Sequence, residues 1–228
     1  TYQQSKTQIN SRLLGSRRER KIGSCIRRKM MKKYKIFLIG VLSLLIFGLL
    51  LPQPIQAFMV LLESPIKDFF LRHSLLLCVT VGITQGLFEE GGYYLVFKTM
   101  LKKEKSKETP IVFGLGRSSI HTIFDFVTIF ATHMSIFGCL IAVVGRILSF
   151  GALMGLTLID YKSVTNKRVV YLALSIVFHA IMNGVLYANE LELLNVNNNF
   201  DSIFMICFSC VVIIISVLIC KNSLSEEA

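Results

Sequence analysis

An all-α, polytopic membrane helix bundle is the fold class predicted for this 228-residue chain, on three observations. Hydrophobic residues make up 53% of it and charged residues 17%, a balance too apolar for a soluble globular domain. Apolar runs close to or above the roughly 20 residues that cross about 30 Å of hydrocarbon recur along its length. Lysine and arginine collect on alternate connections between those runs.

The runs cover residues 36–51, 74–100, 111–130, 135–159, 169–188 and 202–220, which predicts about six transmembrane helices. The first is short. Its apolar character resumes past Pro52 and Pro54 over 55–62, either as more of the same span or as a re-entrant or interfacial piece. The second carries two adjacent carboxylates, Glu89 and Glu90, near its midpoint. The third and fifth enter from the same side, and each has a histidine, His121 and His179, as its eleventh residue. At about 1.5 Å per residue both imidazoles reach mid-bilayer. The fourth brings Arg146 to a similar depth. The sixth carries Cys207 and Cys210, a C-x-x-C that reads as small apolar filling, since no second pair accompanies it.

Twelve lysines and arginines precede residue 36, four lie in 102–107, three in 160–168 and one after residue 220. The intervening connections hold only Lys67 and Arg72, so both termini are predicted to be cytoplasmic, in a multi-pass protein of the cell membrane. The net charge of +11 is concentrated in residues 1–29, which hold nine lysines and arginines. A basic tail beside a membrane helix binds anionic lipid headgroups, so the expected partner is the lipid bilayer and not nucleic acid. The organisation read from this is a basic cytoplasmic tail over 1–35, a membrane domain over 36–220 and a cytoplasmic tail over 221–228. Met30 and Met31, just ahead of the first run, mark the expected natural start.

Ionised groups at bilayer depth are costly, and they point to a site. On the second helix Gln85, Glu89 and Tyr93 share one face and Gly86, Glu90 and Tyr94 the next. On the third, Phe113, Arg117, His121 and Asp125 recur every four residues; on the fifth, His179 and Asn183 do the same. Gly82 and Gly86 form a small-xxx-small pair suited to close helix contact. Glu89, His121 and His179 make a reasonable zinc set, and a metal or the carboxylate itself can activate water for attack on a peptide bond. Glu89, Glu90, His121, His179 and Asn183 are thus the candidate catalytic residues, with Arg117 and Arg146 as structural charge partners. The same groups would also serve a transporter's proton or substrate pathway.

The order Glu89-Glu90, Phe113-x-x-x-Arg117, His179-x-x-x-Asn183 resembles the CPBP intramembrane proteases, whose pattern is a double glutamate followed by arginine, then F-x-x-x-H, then H-x-x-x-N/D. The stretches GLFEEGGYY at 86–94 and FGLGRSSIH at 113–121 look closest to the YhfC-like branch, described as intramembrane metalloproteases. The likeness spans roughly residues 82–189. It implies a membrane-embedded endopeptidase acting on a membrane protein or peptide. The first glutamate and the histidines would activate water or bind metal, and the asparagine would steady the oxyanion. The chain departs from the pattern twice: Tyr93 and Tyr94 occupy the turn of the arginine, and Arg117 stands at the third-helix histidine, with His121 one turn further on. An arginine lost from one helix and another gained on its neighbour would still neutralise the acids. A catalytically inactive scaffold or immunity-type protein is therefore the alternative reading.

Overall fold

The computed structural model describes residues 29–60, 65–104, 106–131, 136–194 and 200–225. Among these residues every regular element is helical, in the order α1 (Lys29–Met59), α2 (Pro65–Arg72), α3 (Ser74–Thr99), α4 (Glu108–Ala131), α5 (Ile136–Thr165), α6 (Val169–Glu190) and α7 (Phe200–Ser225). Most of the basic tail, His133 and the last three residues lie outside the described residues.

Among the described residues four segments, Lys29–Met59, Ile136–Thr165, Val169–Glu190 and Ser202–Lys221, are long and apolar enough to cross a membrane. Helices α3 and α4, of 26 and 24 residues, have comparable length but carry the ionised side chains. Their surfaces resolve the conflict: Leu75, Val79, Ile83 and Leu87, four residues apart, form an exposed apolar stripe on α3, whereas Glu89 and Glu90 are wholly buried. Polar groups face inward and apolar ones outward, as a hydrocarbon solvent requires.

The first run does continue through its prolines. It passes through a π-helical segment, Leu44–Leu50, and then into the α-helical Pro52–Val60. Pro52 has no N–H to give the carbonyl four residues back, that of Gly48, and inside a membrane an unmet carbonyl is costly. Gln85 Nε2 on α3 supplies the missing donor at 2.9 Å. The break in α1 is thereby tied to the helix that bears the acids.

Helix α3 packs along α6, and α5 packs along both α4 and α7. Backbone meets backbone where α3 faces α6. A Cβ at Gly86 would lie 2.7 Å from the Ile176 carbonyl oxygen, and one at Gly82 would meet the Ala180 carbonyl. Gly40 on α1 and Gly116 on α4 allow a similar approach between those helices. One apolar cluster, Ile36, Tyr93, Val96, Phe97, Leu101 and Phe113, joins α1, α3 and α4. The Phe113 ring lies 4.7 Å from Phe97 and 5.6 Å from Tyr93, centroid to centroid. A second cluster, Ala152, Leu156, Ile159 and Val212, holds α5 to α7. Lys32 pairs with Glu104, and Lys33 with Glu108 at 2.9 Å, so the start of α1 and the α3–α4 connection share one end of the bundle.

The fourth run ends later than expected. Helix α5 extends to Thr165, so Asp160, assigned from sequence to a connection, lies inside the helix and is wholly buried.

Candidate functional site

Glu89 and Glu90 project from α3 into the space between α4, α5 and α6, and Arg117 reaches them from α4. Its Nη1 donates to Glu90 Oε2 at 3.2 Å. Its Nη2 donates to Glu89 Oε1 at 3.2 Å and to Glu90 Oε1, and approaches His179 Nδ1 at 3.4 Å. Nη1 also donates to the Thr157 hydroxyl at 3.2 Å, and that hydroxyl donates to the Leu153 carbonyl of its own helix at 2.9 Å. The guanidinium carbon lies 4.1 Å from the centre of the Tyr93 ring. A fork of donors suits two carboxylates, and its flat face suits an aromatic ring.

His179 on α6 faces both acids, with Nδ1 against Glu90 Oε1 and Nε2 3.3 Å from Glu89 Oε2. The two glutamates then differ. Glu90 is enclosed by Arg117, His179 and the Ser175 hydroxyl, which donates to its Oε2 at 3.2 Å. Glu89 accepts from the Tyr93 hydroxyl at 2.9 Å and from Gln85 Nε2 at 3.2 Å, and looks toward His121, whose Nε2 is 3.9 Å from Oε1. The His121 side chain is 37% exposed, so it forms the rim of an otherwise sealed centre.

Of the residues picked from sequence, Glu89, Glu90, Arg117 and His179 meet at the centre, and His121 borders it. Asn183 turns to its own helix: its Nδ2 donates to the His179 carbonyl at 3.1 Å. Arg146 is half-buried on α5, about 16 Å along the helix axis from Thr157 at 1.5 Å per residue. The cation at the centre is Arg117. Four participants were not singled out: Thr157, Asp160, Ser175 and the Gln85–Gly48 link. Asp160 is wholly buried beside Glu90 and Ser175. The signal for the first three was a polar residue every three or four positions, Thr157 and Asp160 on α5, then Ser175 and His179 on α6.

Gln85 relays between the centre and α1. It donates to Glu89 and Gly48, and accepts from Gln56 Nε2 at 3.1 Å. Replacing Gln85 with leucine strips a donor from a buried carboxylate and from the Gly48 carbonyl. A loss of about 1–3 kcal/mol is expected, measurable as a lower thermal midpoint in detergent.

Glu89, Glu90 and His179 each offer a ligand atom, and these atoms lie within 4.8 Å of one another, so the group could hold a metal ion. A divalent ion with bonds of about 2.0–2.2 Å would sit inside that triangle. Arg117 Nη2 is within hydrogen-bonding reach of all three residues and competes for the same atoms. The donor types suit a metal, but with the guanidinium in place the site does not fit one.

The chain matches the profile of the YhfC intramembrane metalloprotease family over residues 22–131 and 125–198. It is 23% identical over 197 residues to the uncharacterized membrane protein YhfC of Bacillus subtilis (strain 168), covering 71% of this chain and 76% of that one. No solved structure matches it.

Proposed function

Since the chain belongs to the YhfC intramembrane metalloprotease family, we propose that it is a multi-pass endopeptidase of the cell membrane, which cleaves a membrane protein or peptide with water activated by Glu89. The observation that carries this reading is the side of Glu89 that faces the partly exposed His121. Glu89 is itself wholly buried, and His121, 37% exposed with its Nε2 3.9 Å from Oε1, stands between it and the outside, so water reaches the carboxylate by way of that imidazole. Glu90, with its oxygens taken by Arg117, His179 and Ser175, serves as the counter-ion that holds the imidazole and guanidinium in place.

The chemistry follows from these groups alone. Glu89 takes a proton from water as the oxygen attacks the scissile carbonyl carbon, and the carbonyl oxygen becomes an oxyanion. Positive charge on Arg117 and an N–H of His121 favour that charge in a low-dielectric site. As the intermediate collapses, the C–N bond breaks and the proton held by Glu89 passes to the leaving amine. The products are a carboxylic acid, which then ionises, and an amine. Asn183 assists at one remove, through the backbone of His179.

A second reading is favoured by Arg117 itself. A guanidinium 3.2 Å from Glu89 Oε1 engages, in an ion pair, the same oxygen that faces His121, which suits a family member that binds membrane segments without cutting them. The two readings separate in one experiment. Cells expressing the wild type or Glu89→Gln are compared by terminal labelling and mass spectrometry of their membrane proteins. The hydrolase reading expects new termini in the wild type, falling about 10²–10⁴-fold in the variant. Identical terminus profiles would leave the binding scaffold.

A further inference from the structure

We propose that Arg117 is the resident cation of this centre, standing where a divalent ion would otherwise bind, so that the wild-type protein holds no metal between Glu89, Glu90 and His179. The inference rests on the reading above only for the importance of the site; its geometry is independent of turnover. Three observations carry it. First, Nη2 lies within hydrogen-bonding reach of Glu89, Glu90 and His179 alike, the three residues that offer ligand atoms, and so competes for the same oxygens and ring nitrogen. Second, the guanidinium is fixed there. It is wholly buried, bonded to the Thr157 hydroxyl on its far side and covered by the Tyr93 ring at 4.1 Å. A metal could enter only by expelling it into apolar surroundings, with its charge unpaired. Third, both ring nitrogens of His179 already face carboxylate oxygens, which leaves no lone pair directed at open space.

Charge accounts for the substitution of one kind of cation for the other. Two carboxylates buried in a bilayer need positive charge nearby. A divalent ion supplies it in one way. A guanidinium with a matching fork supplies it in another, with no lability and no dependence on metal supply. The two are mutually exclusive, because like charges at this separation in a low-dielectric interior repel strongly.

The test is a metal count. Wild type, His179→Ala, Arg117→Lys and Arg117→His are purified in detergent, exposed to zinc, dialysed, and measured for zinc per chain by mass spectrometry. Wild type and Arg117→Lys are expected to retain no stoichiometric zinc. Arg117→His, which removes the cation and adds a ligand on the same helix face, is expected to retain one zinc per chain. Wild type holding one zinc that His179→Ala abolishes would overturn the proposal, and that comparison stands even if Arg117→His does not fold. A folded Arg117→His that stays empty would also overturn it, since the position would then not be that of an ion. Absence of new termini in cells together with a metal-free wild type would sink the hydrolase reading and leave this one in place.

Discussion

Arg117→Leu is expected to cost about 3–5 kcal/mol, the usual penalty for removing one partner of a buried ion pair, and to yield little folded protein. Leucine fills part of the space but leaves Glu89 and Glu90 facing each other with His179 as their nearest basic group, and the Thr157 hydroxyl without its donor. The stacked ring of Tyr93 loses its cation as well. Helix content and thermal midpoint in detergent give the measure. The effect should be non-additive: with Glu90→Gln already in place, less negative charge is stranded, and Arg117→Leu costs less than it does in the wild type. Additive losses would show that the guanidinium and Glu90 are not coupled as their contacts indicate.

Gly86→Val should also be damaging, for a steric reason. A Cβ there meets the Ile176 carbonyl oxygen at 2.7 Å and the Ala180 nitrogen at 3.1 Å, both backbone atoms that no rotamer change can move. Helix α6 must withdraw from α3, and His179, one residue before Ala180, withdraws with it. A loss of about 1–3 kcal/mol or more is expected, accompanied by loss of the Glu90–His179 contact and hence of any activity that depends on it. Gly91 is the control. A Cβ there meets nothing within 4 Å, so Gly91→Ala should be neutral, or stabilising by up to about 1 kcal/mol through helix propensity. Thermal midpoints of the two variants side by side decide the matter.

The helical class and the gathering of Glu89, Glu90, Arg117 and His179 were legible in the sequence because both follow from one solvent property. Hydrocarbon accepts apolar side chains and drives ionised ones together. What stayed hidden depended on register between helices. The span boundary near residue 159 was drawn at the first charge, but a charge that finds a polar pocket does not end a helix, and Asp160 sits a full turn before Thr165. Ser175 looks unremarkable until α6 turns its hydroxyl to Glu90. Asn183 shares a face with His179 by spacing, yet its amide is spent on the His179 carbonyl, since a mid-membrane carboxamide takes the nearest acceptor. The π-helical turn at Leu44–Leu50 could not be read from composition. Its partner could have been suspected, because Pro52 frees a carbonyl and Gln85 is an amide at membrane depth.

The division of charge between α3 and α4 has a consequence for biogenesis. A single charged side chain at the centre of a nascent membrane helix opposes insertion by about 2.5–3.5 kcal/mol, and α3 carries two. Arg117, the arginine that pairs with both, belongs to the next helix to leave the ribosome. Pairing with α4 therefore favours entry of α3 into lipid, with the two helices expected to partition as a hairpin and not one by one.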